Sequence, residues 1–292
     1  MKRSLGTVLT AAVTPFTADL QVDHAALAGL ADHLLGSGSD GIVVAGTTGE
    51  SPTLSDDEKT AMVRTVVEVA QGRGTVVAAT GSNDTEHSVA LTKRAEDAGA
   101  DAVLVITPYY NKPPERGLLA HFRAVAAATT LPVILYNIPG RCVVNLSPEL
   151  LAQLAQTDNI VAVKQANPDL DQLVRLKQLC DLGIYAGNDD MLYDVLAMKG
   201  WGGICVATHL VGERMHRMAE LARAGDLPRA REIHVSLVPL FEALAMTTNP
   251  IPVKAALNLV GREVGGLRLP LVEASVEETR AIRGELERQG LL

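Results

Sequence analysis

The 292-residue sequence is poor in aromatic residues and has no excess of positive charge. Aromatic residues make up only 3% of the chain, so leucine, alanine, valine and isoleucine must fill the core. The net charge is −8 and no basic run occurs, which argues against a surface for nucleic acid or for an anionic membrane. The expected partner is therefore a small molecule.

Cysteine and long apolar segments are also scarce. Cys142, Cys180 and Cys205 are odd in number and far apart, so neither a disulfide framework nor a zinc site is expected, and a reducing cytoplasm fits. The seven histidines show no ligand spacing, so no metal is expected. No apolar run approaches the roughly 20 residues of a membrane span. The basic start resembles a secretory signal, but Gly6 and Thr7 interrupt its apolar stretch, which we interpret as a first strand.

What the sequence does contain is a regular alternation of short apolar runs with amphipathic segments of helix length. This pattern predicts parallel strands joined by crossover helices, and eight such units predict an α/β fold, a closed (β/α)₈ barrel. An open doubly wound sheet is the alternative, although no Gly-x-Gly-x-x-Gly motif opens the first crossover. The predicted strands cover residues 8–13, 41–45, 75–79, 101–106, 133–136, 160–163, 183–186 and 203–206. The predicted crossover helices cover residues 23–35, from about 55, 84–98, 114–128, from 147, 169–180, 189–198 and 213–223, with Asp23 as the cap of the first and a capping box from Ser55 to Glu58 opening the second.

The last part of the chain reads as helices alone, at residues 227–246, 252–260 and 276–289. We therefore expect a barrel domain at residues 1–224 and a helical region at residues 225–292 packed on it.

Lys164 is the residue around which the functional prediction is organised. It follows four apolar residues at the end of the sixth predicted strand, and a buried strand does not normally end in lysine unless the amine is used. The alternative is an ordinary solvated lysine at a strand end. Active sites of such barrels lie at the carboxyl ends of the strands, so the segments that follow the other strands decide between the two.

Those segments carry hydroxyl groups and a cation. Thr47 and Thr48 follow the second strand, Tyr110 follows the fourth, and Tyr136 and Arg141 lie at and after the end of the fifth. A lysine must be unprotonated to attack a carbonyl, and burial disfavours the charged form of an amine. A hydroxyl relay could move protons, and an arginine could bind a carboxylate through two hydrogen bonds. The set predicts Schiff-base chemistry on a keto acid.

Five motifs stand in order along the chain: GTTGES at residues 46–51, TPYYNKP at 107–113, YNIPGR at 136–141, VK at 163–164 and NPIPVK at 249–254. With these motifs the whole chain resembles the dihydrodipicolinate (4-hydroxy-tetrahydrodipicolinate) synthase family of pyruvate-dependent aldolases. The resemblance implies a lyase that is a homotetramer built from two dimers and acts in lysine and diaminopimelate biosynthesis, without a cofactor other than the covalent pyruvate imine.

The resemblance also implies residue roles. Lys164 would form the Schiff base with pyruvate, and Tyr136, Thr47 and Tyr110 would relay protons, with Tyr110 reaching into the neighbouring subunit. The remaining residues would bind substrate: Thr48 the pyruvate carboxylate together with Thr47, Arg141 the carboxylate of aspartate semialdehyde, and Gly187 and the Ile204 carbonyl other parts of the ligands.

Two other functions stay open at this point. One is another reaction on the same Schiff base, such as cleavage of sialate or of a 2-keto-3-deoxy sugar acid, or a hydratase-aldolase reaction; the other is a barrel that binds a keto acid without turnover. Gln165 and Asn188 depart from the usual family residues. Lys59 and His87 stand where lysine-inhibited members have a histidine and a glutamate, so we expect weak or absent inhibition by free lysine.

Overall fold

Eight parallel strands close into a barrel in the computed structural model, which describes residues 5–292. The strands follow one another in chain order around the barrel, and β1 closes it by pairing with β8. Residues 1–4, where the signal-like start begins, lie outside the described residues, and the interrupted stretch after them forms β1. The predicted closed barrel is therefore confirmed. The strands are β1 Val8–Ala11, β2 Gly41–Val44, β3 Thr75–Ala79, β4 Ala102–Ile106, β5 Val133–Asn137, β6 Ile160–Gln165, β7 Gly183–Ala186 and β8 Gly202–Cys205.

Strand residues are buried on both faces, as expected where helices cover a parallel sheet. Alternate residues point into the barrel, where they form a small core of their own that includes Leu9, Val77, Ile134 and Tyr185. The other face packs against the helices in a much larger core. An inward-facing side chain at the carboxyl end of a strand therefore enters a space that the barrel encloses.

The helices lie mainly where the apolar periodicity predicted them, and two start signals are confirmed. Asp23 caps the first helix by accepting a hydrogen bond from Ala26 N at 2.9 Å. Ser55 and Glu58 form the predicted capping box of the second. The helices are α1 His24–Gly36, α2 Asp56–Ala70, α3 Thr85–Asp97, α4 Glu115–Ala127, α5 Pro139–Cys142, α6 Pro148–Leu154, α7 Leu170–Leu179, α8 Leu192–Ala197, α9 Thr208–Arg223, α10 Leu227–Ala245, α11 Ile251–Leu259 and α12 Val276–Arg288.

Three details differ from the expectation. The four-residue helix α5 was not predicted, because a single turn is too short to show periodicity. The helix expected from residue 189 begins as a 3₁₀ turn, Asp189–Met191, before α8. Helix α9 starts five residues earlier than predicted and is kinked at Val211, whose φ of −131° is not helical.

The C-terminal helices pack on the barrel and on each other. Helix α10 lies against α9 and α12, and α11 packs against α12. The predicted domain boundary at residues 224 and 225 falls in the turn between α9 and α10; the division itself stays a prediction. Within residues 5–292, no helix is both long and apolar enough to cross a membrane.

Candidate active site

The side chains of Lys164 and Tyr136 meet at the carboxyl end of the barrel. Strands β5 and β6 pair so that these two residues are directly opposite each other. Lys164 Nζ lies 4.4 Å from the centre of the Tyr136 ring, and each residue is only 5% exposed. Strand alternation thus places an amine and a phenol side by side in a largely dehydrated position.

Both side chains open into a cavity of about 470 Å³. The cavity brings together six of the residues predicted from the sequence, and these come from the ends of four different strands. A cavity of this size suits a small ligand. The six are Thr47, Thr48, Tyr136, Arg141, Lys164 and Gly187.

The two threonines lie on a tight turn after β2. Gly49 N and Glu50 N donate to the carbonyl oxygens of Gly46 and Thr47, both at 3.1 Å, and Glu50 has a left-handed φ of 57°. Thr48 is buried and accepts a hydrogen bond from Asn249 Nδ2 at 2.9 Å. The turn holds the two hydroxyl groups beside the cavity.

Arg141 supplies the cation on this rim. Helix α5, with Pro139 in its first position, turns the chain after β5 so that Arg141 lines the cavity. Its Nη2 donates to the Asn249 carbonyl oxygen at 3.2 Å, while the side chain remains exposed. The guanidinium is therefore available to an anionic ligand that enters from solvent.

Tyr110 and Ile204 lie outside the lining of this cavity. Tyr110 is 89% exposed and has a left-handed φ of 72°, so in the single chain its phenol points to the surface. Ile204 is fully buried in the interior core of the barrel, and Val206, two residues later, lines the cavity instead. The roles given to these two residues stay predictions.

Asp189 lines the cavity, although sequence reasoning gave it no role. Its carboxylate accepts hydrogen bonds from Val206 N at 2.8 Å and Ala207 N at 3.1 Å, which ties the segment after β7 to the end of β8. Burial raises the pKa of Asp189, and the two backbone hydrogen bonds oppose that shift. The acidic residues after β7 were the available signal, but only the fold shows that Asp189 is hydrogen-bonded to the end of β8.

The C-terminal region also contributes to the wall, which the sequence did not indicate. Helix α10 and the segment after it cover one side of the opening, and Asn249 belonged to a family motif to which the sequence assigned no role in the site. These lining residues are Val238, Phe241, Glu242, Leu244, Ala245, Thr247, Thr248 and Asn249.

A second cavity of about 500 Å³ adjoins the first and shares Thr47, Tyr136 and Arg141 with it. Lys59 and His87, at the positions that the resemblance connects with lysine inhibition, both line it. His87 Nε2 lies 3.0 Å from both carboxylate oxygens of Asp56, and burial lowers the pKa of Lys59. Among residues 5–292, no group of three or more His, Cys, Asp or Glu side chains could hold a metal ion.

The chain is similar to known proteins over nearly its whole length. The model of the dihydrodipicolinate synthetase family matches residues 4–289. A 4-hydroxy-tetrahydrodipicolinate synthase of Heliobacterium modesticaldum is 49% identical over 288 residues, which cover 98% of this chain and 96% of the relative. The enzyme of the same name from Desulforudis audaxviator is 49% identical over 294 residues, with 100% of both chains covered.

Solved structures give the same result. Dihydrodipicolinate synthase from Cyanidioschyzon merolae, with lysine bound, superposes with a TM-score of 0.97 at 42% identity and covers 99% of each chain. The Acinetobacter baumannii enzyme, complexed with pyruvate, has a TM-score of 0.96 at 36% identity and covers 99% of this chain and 100% of its own. The enzyme class predicted from the sequence, a lyase, is confirmed, and the chain belongs to the dihydrodipicolinate synthetase family.

Proposed function

We propose that the protein catalyses the 4-hydroxy-tetrahydrodipicolinate synthase reaction, the condensation of pyruvate with L-aspartate 4-semialdehyde through a Schiff base on Lys164, in lysine and diaminopimelate biosynthesis. The observation that carries the proposal is the buried pair of Lys164 and Tyr136 in a cavity that also holds Thr48 and Arg141. The relatives of the same name, similar over nearly the whole chain, support it.

The first half of the reaction activates pyruvate. The neutral amine of Lys164 attacks the keto carbon, and the keto oxygen leaves as water after it has received protons, for which the adjacent Tyr136 phenol is placed. The resulting cationic imine withdraws electrons from the neighbouring methyl carbon. That carbon then loses a proton, and an enamine forms.

The second half forms the new carbon–carbon bond and the ring. The enamine carbon attacks the aldehyde carbon of the second substrate, and the aldehyde oxygen becomes a hydroxyl group. The amine of the same substrate then attacks the imine carbon, which closes the ring and releases Lys164. No cofactor is needed, because the lysine itself carries the intermediate.

The two carboxylates are assigned to different residues of the cavity. Thr47 and Thr48 suit the pyruvate carboxylate, since their turn offers hydroxyl groups beside Lys164. Arg141 suits the carboxylate of aspartate semialdehyde, because a guanidinium can bind both of its oxygens. Gly187 and the Ile204 carbonyl complete the proposed substrate contacts.

We extend the proposal to a homotetramer composed of two dimers, in which Tyr110 completes the relay of Tyr136 and Thr47 in the neighbouring subunit. Its support is the surface position of Tyr110, since a large aromatic side chain that is 89% exposed in the single chain is available to a partner. A cytoplasmic location is proposed as well, supported by three unpaired cysteines.

Borohydride reduction in the presence of pyruvate tests the proposal directly. A permanent mass increase is expected on the peptide that contains Lys164 and is absent from Lys164→Ala. A protein that only binds a keto acid gains no adduct. Consumption of aspartate semialdehyde, measured against pyruvate release from sialate and from 2-keto-3-deoxygluconate, separates the synthase from the other Schiff-base enzymes; release without condensation would refute the proposed second substrate.

A further inference from the structure

The turn that carries Thr47 and Thr48 is joined at two points to the segment that opens α11. Asn249 Nδ2 donates to Thr48 Oγ1 at 2.9 Å, and Lys254 Nζ pairs with Glu50 Oε1 at 3.0 Å. The residues of each pair are about 200 positions apart in the chain. The C-terminal region therefore holds the proposed pyruvate-binding turn directly.

The first of these contacts controls the direction of a hydroxyl group. A threonine hydroxyl has one hydrogen to donate and two lone pairs that accept. Because the Asn249 amide donates to Thr48 Oγ1, one lone pair is occupied and the Thr48 hydrogen is left to point elsewhere. Thr48 is only 2% exposed and lines the cavity with Lys164. A ligand in the cavity can therefore accept the hydrogen bond that the Thr48 hydroxyl donates.

Asn249 is also connected to the second carboxylate site. Its backbone carbonyl accepts the hydrogen bond from Arg141 Nη2, and its side chain lies in the lining of both cavities. Its Oδ1 is buried and has no hydrogen-bond partner within the described part of the chain. A buried acceptor without a partner is costly, and such groups are often associated with function rather than with stability.

The second contact explains why Asn249 can act as a fixed donor. Lys254 is 1% exposed, and its ammonium also donates to the carbonyl oxygens of Thr14, at 2.9 Å, and of Gly266. The other carboxylate oxygen of Glu50 accepts from Arg268 N at 3.0 Å. Helix α11 is therefore fixed to the turn by a fully bonded buried ion pair, five residues after Asn249.

We propose that Asn249 is a positioning residue, which orients the Thr48 hydroxyl as a donor to the carboxylate of pyruvate. The inference rests on the proposed function and adds to it a residue that acts through another. Asn249→Asp is the sharpest test, since it changes little in shape. An aspartate accepts the Thr48 hydrogen instead of donating to the oxygen, so the hydroxyl turns away from the substrate.

The readout is the pyruvate concentration that gives half-maximal borohydride trapping on Lys164, measured without the second substrate. Asn249→Asp is expected to raise it about tenfold or more, the size of one lost hydrogen bond to a charged group. Asn188→Asp is the matched control, because it places the same charge in the same cavity without a bond to Thr48. An equal rise in both variants would show that charge alone is responsible and would overturn the inference.

Two uncharged variants test whether Asn249 acts through Thr48, and they separate this effect from a folding defect. Asn249→Ala and Thr48→Val are each expected to raise the half-trapping concentration, and the double variant is expected to be no worse than Thr48→Val alone, since both remove the same donor. Fully additive effects in folded variants refute the proposal. Lack of any adduct in the wild-type protein would refute the Schiff-base function, whereas a wild-type adduct with unchanged Asn249 variants refutes only this inference.

Discussion

Asn137 Nδ2 donates a hydrogen bond to Gln165 Oε1 at 3.0 Å, one residue beyond the paired Tyr136 and Lys164. Gln165 Nε2 continues to Gln172 Oε1 on α7 at 2.7 Å. Strands β5 and β6 and the covering helix are thus joined by amides alone, and Gln165 is completely buried. A network of neutral amides therefore lies directly behind Lys164 and helps to fix the register of the two strands.

Replacement of Gln165 by glutamate is expected to destabilise the protein at alkaline pH. The variant keeps the shape but buries a carboxylate that can no longer donate to Gln172, at a cost of about 1 to 3 kcal/mol. Since burial raises the pKa of a carboxyl group, protonation relieves the cost, and the difference from wild type should shrink as the pH falls from 8 to 5.

Urea unfolding at both pH values measures this difference. Gln153→Glu on the exposed face of α6 is the control and should stay within about 0.5 kcal/mol of wild type. A Gln165→Glu protein as stable as wild type at pH 8 would show that the amide network carries no energetic role.

Tyr136→Phe is expected to lower kcat by about 10²- to 10⁴-fold, the usual contribution of a proton-transferring side chain. The ring that packs against Lys164 Nζ at 4.4 Å is retained, so the fold and the position of the amine should persist. Steady-state rates with both substrates, together with circular dichroism, check the two halves of the prediction. A variant with wild-type kcat would remove Tyr136 from the relay.

The sequence was sufficient for the fold and for the side chains that follow the strands. Regular alternation placed every strand within a few residues, and the carboxyl-end rule brought Lys164, Tyr136 and Arg141 to one cavity. It missed Asp189 and underestimated Asn249, because their roles depend on how loops and helices far apart in the chain pack. The role proposed for Tyr110 lies in the site of another subunit, so it depends on how two chains pack together.

Free lysine is expected to inhibit weakly or not at all. The second cavity contains the cation of Lys59, and its two acidic residues already have partners: Glu50 forms an ion pair with Lys254, and Asp56 contacts His87 while its charge acts on Lys59. A cationic ligand would therefore meet repulsion without an unpaired carboxylate to offset it. A titration of activity with lysine in the low millimolar range checks this, and a clear loss of activity would contradict it. The double variant Lys59→His, His87→Glu should gain inhibition.

His209 predicts how stability depends on pH. It is 1% exposed; its Nδ1 donates to the Val206 carbonyl at 2.7 Å, and its Nε2 accepts from Val13 N at 3.2 Å. The neutral imidazole ring makes both hydrogen bonds, because one of its nitrogens donates and the other accepts. Burial lowers the pKa of His209 to about 4, from 6.5 for the exposed group.

Between these two pKa values the unfolded chain binds a proton at His209 that the folded chain does not. The free energy of unfolding should therefore fall as the pH decreases from 6.5 towards 4, by up to about 3 kcal/mol from this residue. His209→Gln should be less stable than wild type at pH 7, because the two hydrogen bonds are not fully reproduced, but it should lose less stability on acidification. Urea unfolding of both proteins at half-unit intervals from pH 7 to 4.5 measures the two slopes. Parallel slopes would show that His209 is not the titrating group, since every other ionisable side chain is the same in the two proteins.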